Sequence, residues 1–232
     1  MSEIAYKIEH SPAYASLIID LQPEQKVLVE ASAMAAMDTS IKMESKIKGG
    51  LIKGVGRMFA GESLFINEFR TQNQSGRLYL SPSVPGDIQH YYIENRCGLL
   101  VQSSGFVACS DRVELDTQFQ GFKGFFSGES LFLLRATGRG DFWFSSYGGI
   151  LEIPVEESYV VDTSYIVAFE ETLNYNVEMI GGLSFKGLKT GILGGEGLVC
   201  RFSGQGRLWI QSRAIYPLLN FLNSFRPTKG GD

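Results

Sequence analysis

The chain has 232 residues, 21 Lys plus Arg against 25 Asp plus Glu, and a net charge of −4. A chain of this length buries roughly 70–75% of its unfolded surface, so it requires no disulfide or metal to fold. With 44% hydrophobic residues it is not a disordered chain, and its acidic balance argues against a dedicated nucleic-acid domain. Only 20% of residues are charged and 27 are glycine, a mixture that predicts many tight turns and a large subunit interface.

The N-terminal stretch, residues 1–14, has no apolar signal-peptide core and is not an Arg-rich transit ramp. No segment approaches the ~18 apolar residues of a membrane-spanning helix, so a soluble, cytoplasmic protein is expected. Further along, three anchors recur in order. The first reads Val29-Glu30-Ala31-Ser32, then Val101-Gln102-Ser103-Ser104, then Val161-Asp162-Thr163-Ser164. The second reads Gly61-Glu62-Ser63-Leu64-Phe65, Gly128-Glu129-Ser130-Leu131-Phe132 and, more loosely, Gly195-Glu196-Gly197-Leu198-Val199, at a constant spacing of 67 residues. The third reads Gly76-Arg77-Leu78-Tyr79-Leu80, Gly140-Asp141-Phe142-Trp143-Phe144 and Gly206-Arg207-Leu208-Trp209-Ile210. Internal self-similarity of this kind marks a repeated structural unit. It divides the chain into residues 1–96, 97–158 and 159–232, within one compact globular unit.

Each unit reads as β-structure. Leu131 to Arg135 and Phe142 to Phe144 flank the glycine turn Thr137-Gly138-Arg139-Gly140, and Leu198 to Phe202 and Leu208 to Ile210 flank Ser203 to Gly206. Apolar runs around such a turn predict a hairpin. Tyr79, Trp143 and Trp209 each sit between two apolar neighbours. Strand side chains alternate between faces, so both faces of these strands must be covered. One helix is predicted, near the C-terminus. Pro217 suits a first helical turn, Leu218, Phe221, Leu222 and Phe225 follow helical spacing, and Arg226-Pro227 ends it, leaving a frayed tail.

The repeated Gly-Glu-Ser-Leu-Phe, the Gly50-Leu51-Ile52-Lys53-Gly54 segment and Gly194-Gly195-Glu196-Gly197 resemble a family of mitochondrial biogenesis proteins named for altered inheritance of mitochondria. The resemblance covers nearly the whole chain. It implies an all-β fold of three tandem pseudo-repeats of hairpin or sandwich type. That fold is like the tryptophan RNA-binding attenuation protein, a variant of the double-stranded β-helix, with ring-like assembly. It carries over no catalytic residue. Without an evident transit peptide, the chain resembles a bacterial member.

Motifs for chemistry are sparse. A β-barrel metal site needs two or three His with a carboxylate, and the chain has only His10 and His90, far apart. No Gly-x-Ser-x-Gly elbow is present. Cys97, Cys109 and Cys200 lie in or beside apolar runs and read as reduced small hydrophobes. The segment 49–57 is glycine-rich but matches neither the P-loop nor the dinucleotide fingerprint. Related basic glycine segments precede the other two Gly-Glu anchors. The candidates for anion or partner binding are therefore Lys46, Lys48, Lys53, Arg57, Lys123, Lys186 and Lys189. The repeated acids Glu62, Glu129 and Glu196 read as structural acceptors for backbone N–H groups or as partners of those cations. Charge is uneven: residues 41–57 carry five cations and one acid, and residues 151–180 carry seven acids and no cation. A basic side suits an anionic lipid surface, nucleic acid or an acidic protein, although aromatics held inside apolar runs disfavour base stacking. These features predict a non-catalytic, oligomeric binding or scaffold protein with no cofactor, with a trimer favoured. The alternatives are a nucleic-acid-binding ring, membrane association and, last, an enzyme.

Overall fold

A computed structural model describes residues 4–46, 66–94, 97–116, 133–179 and 198–226. The first third of the chain contributes strands β1 (Ala5–Glu9), β2 (Ser16–Leu21), β3 (Lys26–Glu30), β4 (Met34–Met37), β5 (Lys42–Lys46), β6 (Ile66–Arg70) and β7 (Gly76–Leu80). Next come β8 (Ile88–Ile93), β9 (Leu99–Gln102), β10 (Phe106–Ser110), β11 (Val113–Asp116), β12 (Leu133–Gly138) and β13 (Gly140–Ser145). The last are β14 (Ile150–Val155), β15 (Ser158–Asp162), β16 (Ile166–Glu170), β17 (Asn174–Met179), β18 (Leu198–Ser203) and β19 (Gly206–Gln211), followed by helix α1 (Ile215–Asn223). The protein is all-β with one short C-terminal helix.

The strands form four sheets: β1-β2-β7-β4, β5-β6-β3-β10-β13-β8, β11-β12-β9-β16-β19-β14 and β15-β18-β17. Three apolar cores separate them in order. Leu17, Ile19, Leu78 and Leu80 of the first sheet meet Val29, Phe69 and Trp143 of the second. The other face of the second sheet sends Phe106, Phe142 and Phe144 against Val101, Leu134 and Trp209 of the third. The third sheet's far face packs Leu100, Phe169 and Leu208 on Val161, Cys200 and Phe202 of the fourth. The molecule is thus a stack of four layers, its two middle sheets covered on both faces.

Strand alternation builds this stack. In β13, Phe142 and Phe144 point into the second core and Trp143 into the first. All six β13 residues are buried, which is why the strand reads as a continuous apolar run rather than an alternating one. Trp209 in β19 is likewise sealed. Tyr79, at the matching place in β7, is 38% exposed. It faces outward from the first sheet, where the described residues provide no further layer, so the expectation of cover on both faces holds for two of the three aromatics.

The predicted hairpins are corrected. β12 pairs with β11 and β9, whereas β13 pairs with β10 and β8. β18 and β19 likewise belong to different sheets. The glycine turn is a corner between layers: Gly138 has φ +93° and Gly140 φ +150°, and a Cβ on Gly138 would stand 2.5 Å from the Arg112 carbonyl oxygen. Positive φ in glycine swings the chain out of one sheet and into the next. The antiparallel neighbours are instead β5 with β6, β11 with β12 and β17 with β18.

One set of pairings occurs three times along the chain. β7 lies between β2 and β4, β13 between β8 and β10, and β19 between β14 and β16. β6 lies between β5 and β3, β12 between β11 and β9, and β18 between β17 and β15.

Candidate functional site

The residues singled out from the sequence fall outside the described part of the structure. Lys46 closes strand β5, but its side chain lies outside the described residues. So do Lys48, Lys53, Arg57, Lys123, Lys186 and Lys189, and with them Glu62, Glu129 and Glu196. The described residues contain polar clusters outside those motifs. Two of them occupy the position following the first glycine of β13 and of β19.

In β13 that residue is Asp141, 2% exposed. His90 Nε2, on the neighbouring β8, lies 2.9 Å from its Oδ1. The backbone N–H of Ile4 donates to Oδ2 at 3.1 Å, and the Asp141 N–H donates to Ser110 Oγ at 2.9 Å. Burial works against the carboxylate. The His90 hydrogen bond, the Ile4 N–H, the His90 charge and the Ser110 hydroxyl outweigh it and hold its pKa below the ordinary aspartate range. An ionised carboxylate only accepts, so His90 Nε2 carries the proton. The carboxylate thus stands between the hydroxyl and the imidazole, whereas a serine nucleophile needs the imidazole as its immediate base. The His90 ring packs 4.6 Å from Tyr6 and 5.5 Å from Trp143. A cleft of about 330 Å³ opens beside the cluster, lined by Ile4, Lys26, Tyr92, Asp111, Arg112 and Asp141.

In β19 the residue is Arg207. Its Nε donates to Glu170 Oε1 at 2.8 Å and its backbone N–H to Oε2 at 2.9 Å. Tyr91, from the second sheet, donates to the same Oε1 at 3.1 Å, and burial together with the Glu170 charge pushes its phenol well up. The guanidinium covers the rings of Tyr91 and Trp209 at 5.1 and 5.2 Å. This cluster ties the second and third layers together. In β7 the corresponding Arg77 pairs with Asp20 at 2.6 Å, in solvent. The signal for these clusters was present in the third anchor, as the residue after Gly76, Gly140 and Gly206.

The acid-rich segment 151–180 is largely partnered. Glu170 pairs with Arg207, Glu171 with Arg135, Glu178 with Arg201, and Glu152 accepts from Trp209 Nε1. Cys109 and Cys200 are buried thiols, and burial pushes Cys200 up to about 12, far from the low pKa of a nucleophilic cysteine. Among the described residues, no group of three or more His, Cys, Asp or Glu side chains is arranged to hold a metal. Among the same residues, no helix is long and apolar enough to cross a membrane.

The surface differs from one layer to another. Among the exposed large apolar residues of the described part, only Met43 and Leu151 belong to the two middle sheets, each on an edge strand. Most of the others lie in the outer sheets, as Tyr6, Met34, Met37, Tyr79, Tyr159 and Val160, or along α1. That helix has no buried residue, and Phe221 is 61% exposed.

A family model described as mitochondrial biogenesis AIM24 matches residues 6–213. An uncharacterised protein of Streptococcus pyogenes serotype M6 is 25% identical over 237 residues, covering 98% of this chain and 93% of its own length. The crystal structure of a Streptococcus pyogenes protein from a structural genomics programme superposes with a TM-score of 0.79 at 23% identity. It covers 97% of this chain and 100% of its own, a likeness of fold.

Proposed function

The chain belongs to the mitochondrial biogenesis AIM24 family, and from that premise we propose that it is a non-catalytic, self-associating scaffold or binding protein built from three repeats. The observation that carries this reading is the distribution of uncovered apolar surface. The faces of the middle sheets are covered, and apart from Met43 and Leu151 on their edge strands, most of the exposed large apolar side chains among the described residues lie on the outer sheets and α1. Large apolar side chains left uncovered on particular elements mark those elements as interaction surface. A helix of nine residues is too short to be stable in isolation, and covering its Leu218, Leu219, Phe221 and Leu222 supplies the missing stabilisation. The polar clusters support the same reading: His90, Asp141, Glu170 and Arg207 are engaged with one another or with backbone, as layer-joining groups are. The basic glycine segments with Lys46, Lys48, Lys53, Arg57, Lys123, Lys186 and Lys189 are then contact elements for an acidic partner or a neighbouring copy.

Light scattering on the whole chain at micromolar concentration tests the reading. A mass that is a multiple of 25.6 kDa is expected, three copies being the number anticipated from sequence. A triple change of Leu218, Phe221 and Leu222 to Ser should reduce either that mass or the capture of a partner. A wild-type chain that remains at 25.6 kDa overturns self-association.

A further inference from the structure

The joint between successive sets of strands is used twice within the chain. β10 lies on β3, with Ala108 opposite Val29, Cys109 opposite Leu28 and Ser110 opposite Val27. β16 lies on β9 with Ala168 opposite Val101, Phe169 opposite Leu100 and Glu170 opposite Leu99. These two joints turn two half-sheets into each six-stranded middle sheet.

The chain carries the two halves of a third such joint, at opposite ends of the stack. β4 corresponds to β10 and β16. It meets β7 through Met34 on Leu80, Ala36 on Tyr79 and Met37 on Leu78, with a register shift after its first residue. Phe106, Ala108 and Cys109 of β10 meet Phe144, Trp143 and Phe142 of β13 with the same shift, and Ile166, Ala168 and Phe169 of β16 do so on β19. The shared alanine at the shift is Ala36, Ala108 or Ala168. β15 corresponds to β3 and β9, since it lies on β18 as they lie on β6 and β12. Yet β4 is the edge of the first sheet and β15 the edge of the fourth. Among the described residues, no second strand pairs with either one.

We propose that β4 of one copy pairs antiparallel with β15 of a second copy, fusing the fourth sheet of one molecule with the first sheet of the next. The internal joints set the register: Ala36 opposite Val161, Met37 opposite Val160 and Asp38 opposite Tyr159. The partner is a second copy of this chain because the same contact already operates twice inside it. Two six-stranded sheets separate β4 from β15, so one molecule does not close the joint on itself.

Composition and burial agree with this. A strand edge meant for water carries Lys, Pro or other blocking devices. β4 reads Met-Ala-Ala-Met and β15 reads Ser-Tyr-Val-Val-Asp, with no Lys or Pro in either. All four β4 residues are exposed, whereas every residue of β10 is buried. Val160 is 44% exposed, and its counterparts Leu28 and Leu100 are buried. Joining also brings the third layer of one molecule over Tyr79 of the next, the cover that Trp143 and Trp209 already have. Because the two edges differ, the contact is heterologous. It closes into a ring when its rotation permits and runs on as a filament otherwise.

This inference rests on the self-association proposed above and names the surface that performs it. The test separates the two. Met37→Cys and Val160→Cys chains are prepared singly and mixed in oxidant, while the wild type is measured by light scattering. Directly opposed residues in an antiparallel pair lie within disulfide reach. A covalent dimer is expected from the mixture and not from either chain alone. In addition, Met37→Lys and Val160→Lys should each collapse the wild-type assembly to 25.6 kDa, and mixing Met37→Lys with Val160→Glu should restore association. Wild-type oligomers that show neither the mixed disulfide nor sensitivity to either Lys change overturn the β4–β15 joint and leave self-association standing. A monomeric wild type overturns both.

Discussion

Trp143 and Trp209 occupy matching places in β13 and β19, yet replacing each with Phe should have very different consequences. Both are essentially sealed. Trp209 Nε1 donates to Glu152 at 2.9 Å, and its ring lies under the Arg207 guanidinium. Trp143 Nε1 is buried without a hydrogen-bond partner among the described residues. Trp→Phe removes ring atoms worth about 2 kcal/mol of burial, at ~0.8 kcal/mol per buried CH₂-sized group. In Trp209→Phe, loss of a hydrogen bond adds about 1 kcal/mol, because Glu152 is exposed and regains water. The total is a destabilisation of about 3 kcal/mol. In Trp143→Phe the change also removes an unsatisfied buried donor that costs ~1–3 kcal/mol. The two contributions nearly cancel, and the net effect is about 0–1 kcal/mol. Urea titration followed by far-UV circular dichroism measures the difference as a shift in midpoint at constant slope. The chain contains only two tryptophans, so each variant also leaves a single fluorophore reporting on one layer. Trp143→Phe costing as much as Trp209→Phe would refute the reasoning.

Other predictions follow from the same clusters. Asp141→Asn should destabilise the protein by about 2–3 kcal/mol at pH 7. Because the folded carboxylate titrates below its ordinary range, its contribution is complete above the unfolded value near ~3.9. It disappears as pH falls through the folded value. The gap between wild type and Asp141→Asn should therefore close on acidification, as read by urea midpoints from pH 7 to pH 2; a gap constant over that window would contradict the assignment. In Gly86→Ala the new Cβ would meet the Ser146 carbonyl oxygen at 1.8 Å. Calorimetry should show a loss of ~2 kcal/mol, or roughly 4–8 °C in Tm, and an unchanged Tm would show that the backbone around Gly86 and Ser146 relaxes freely. Ellman's reagent on the folded protein at pH 8 should label Cys97 first, and Cys109 and Cys200 only in denaturant, since both are sealed. Prompt labelling of Cys200 would refute its burial.

The β-class, the C-terminal helix and the double cover of Trp143 and Trp209 were legible in the sequence, because each depends on local periodicity. Continuous apolar runs around a tryptophan admit little other than a strand buried on both faces. The connection across Gly138 and Gly140 was not legible. A glycine turn between apolar strands looks the same whether it folds the chain back within a sheet or carries it to the next layer. Only the partners of β12 and β13, distant in sequence, distinguish the two. For the same reason the sequence shows Asp141 as part of an anchor and not as a buried carboxylate: His90, Ser110 and Ile4 reach it from positions 51, 31 and 137 residues away. The difference between Tyr79 and the two tryptophans was visible as a change of residue type. Its meaning depends on which sheet stands at the end of the stack, and the long-range pairing of β7 with β2 and β4 decides that.

Native mass spectrometry of the purified full-length chain tests the scaffold reading most directly, because it weighs the assembly and any tightly held small molecule together. Protein-only ions at two or more times 25.6 kDa are expected. A 25.6 kDa monomer carrying one stoichiometric small molecule would contradict that reading and point to ligand chemistry within a single chain.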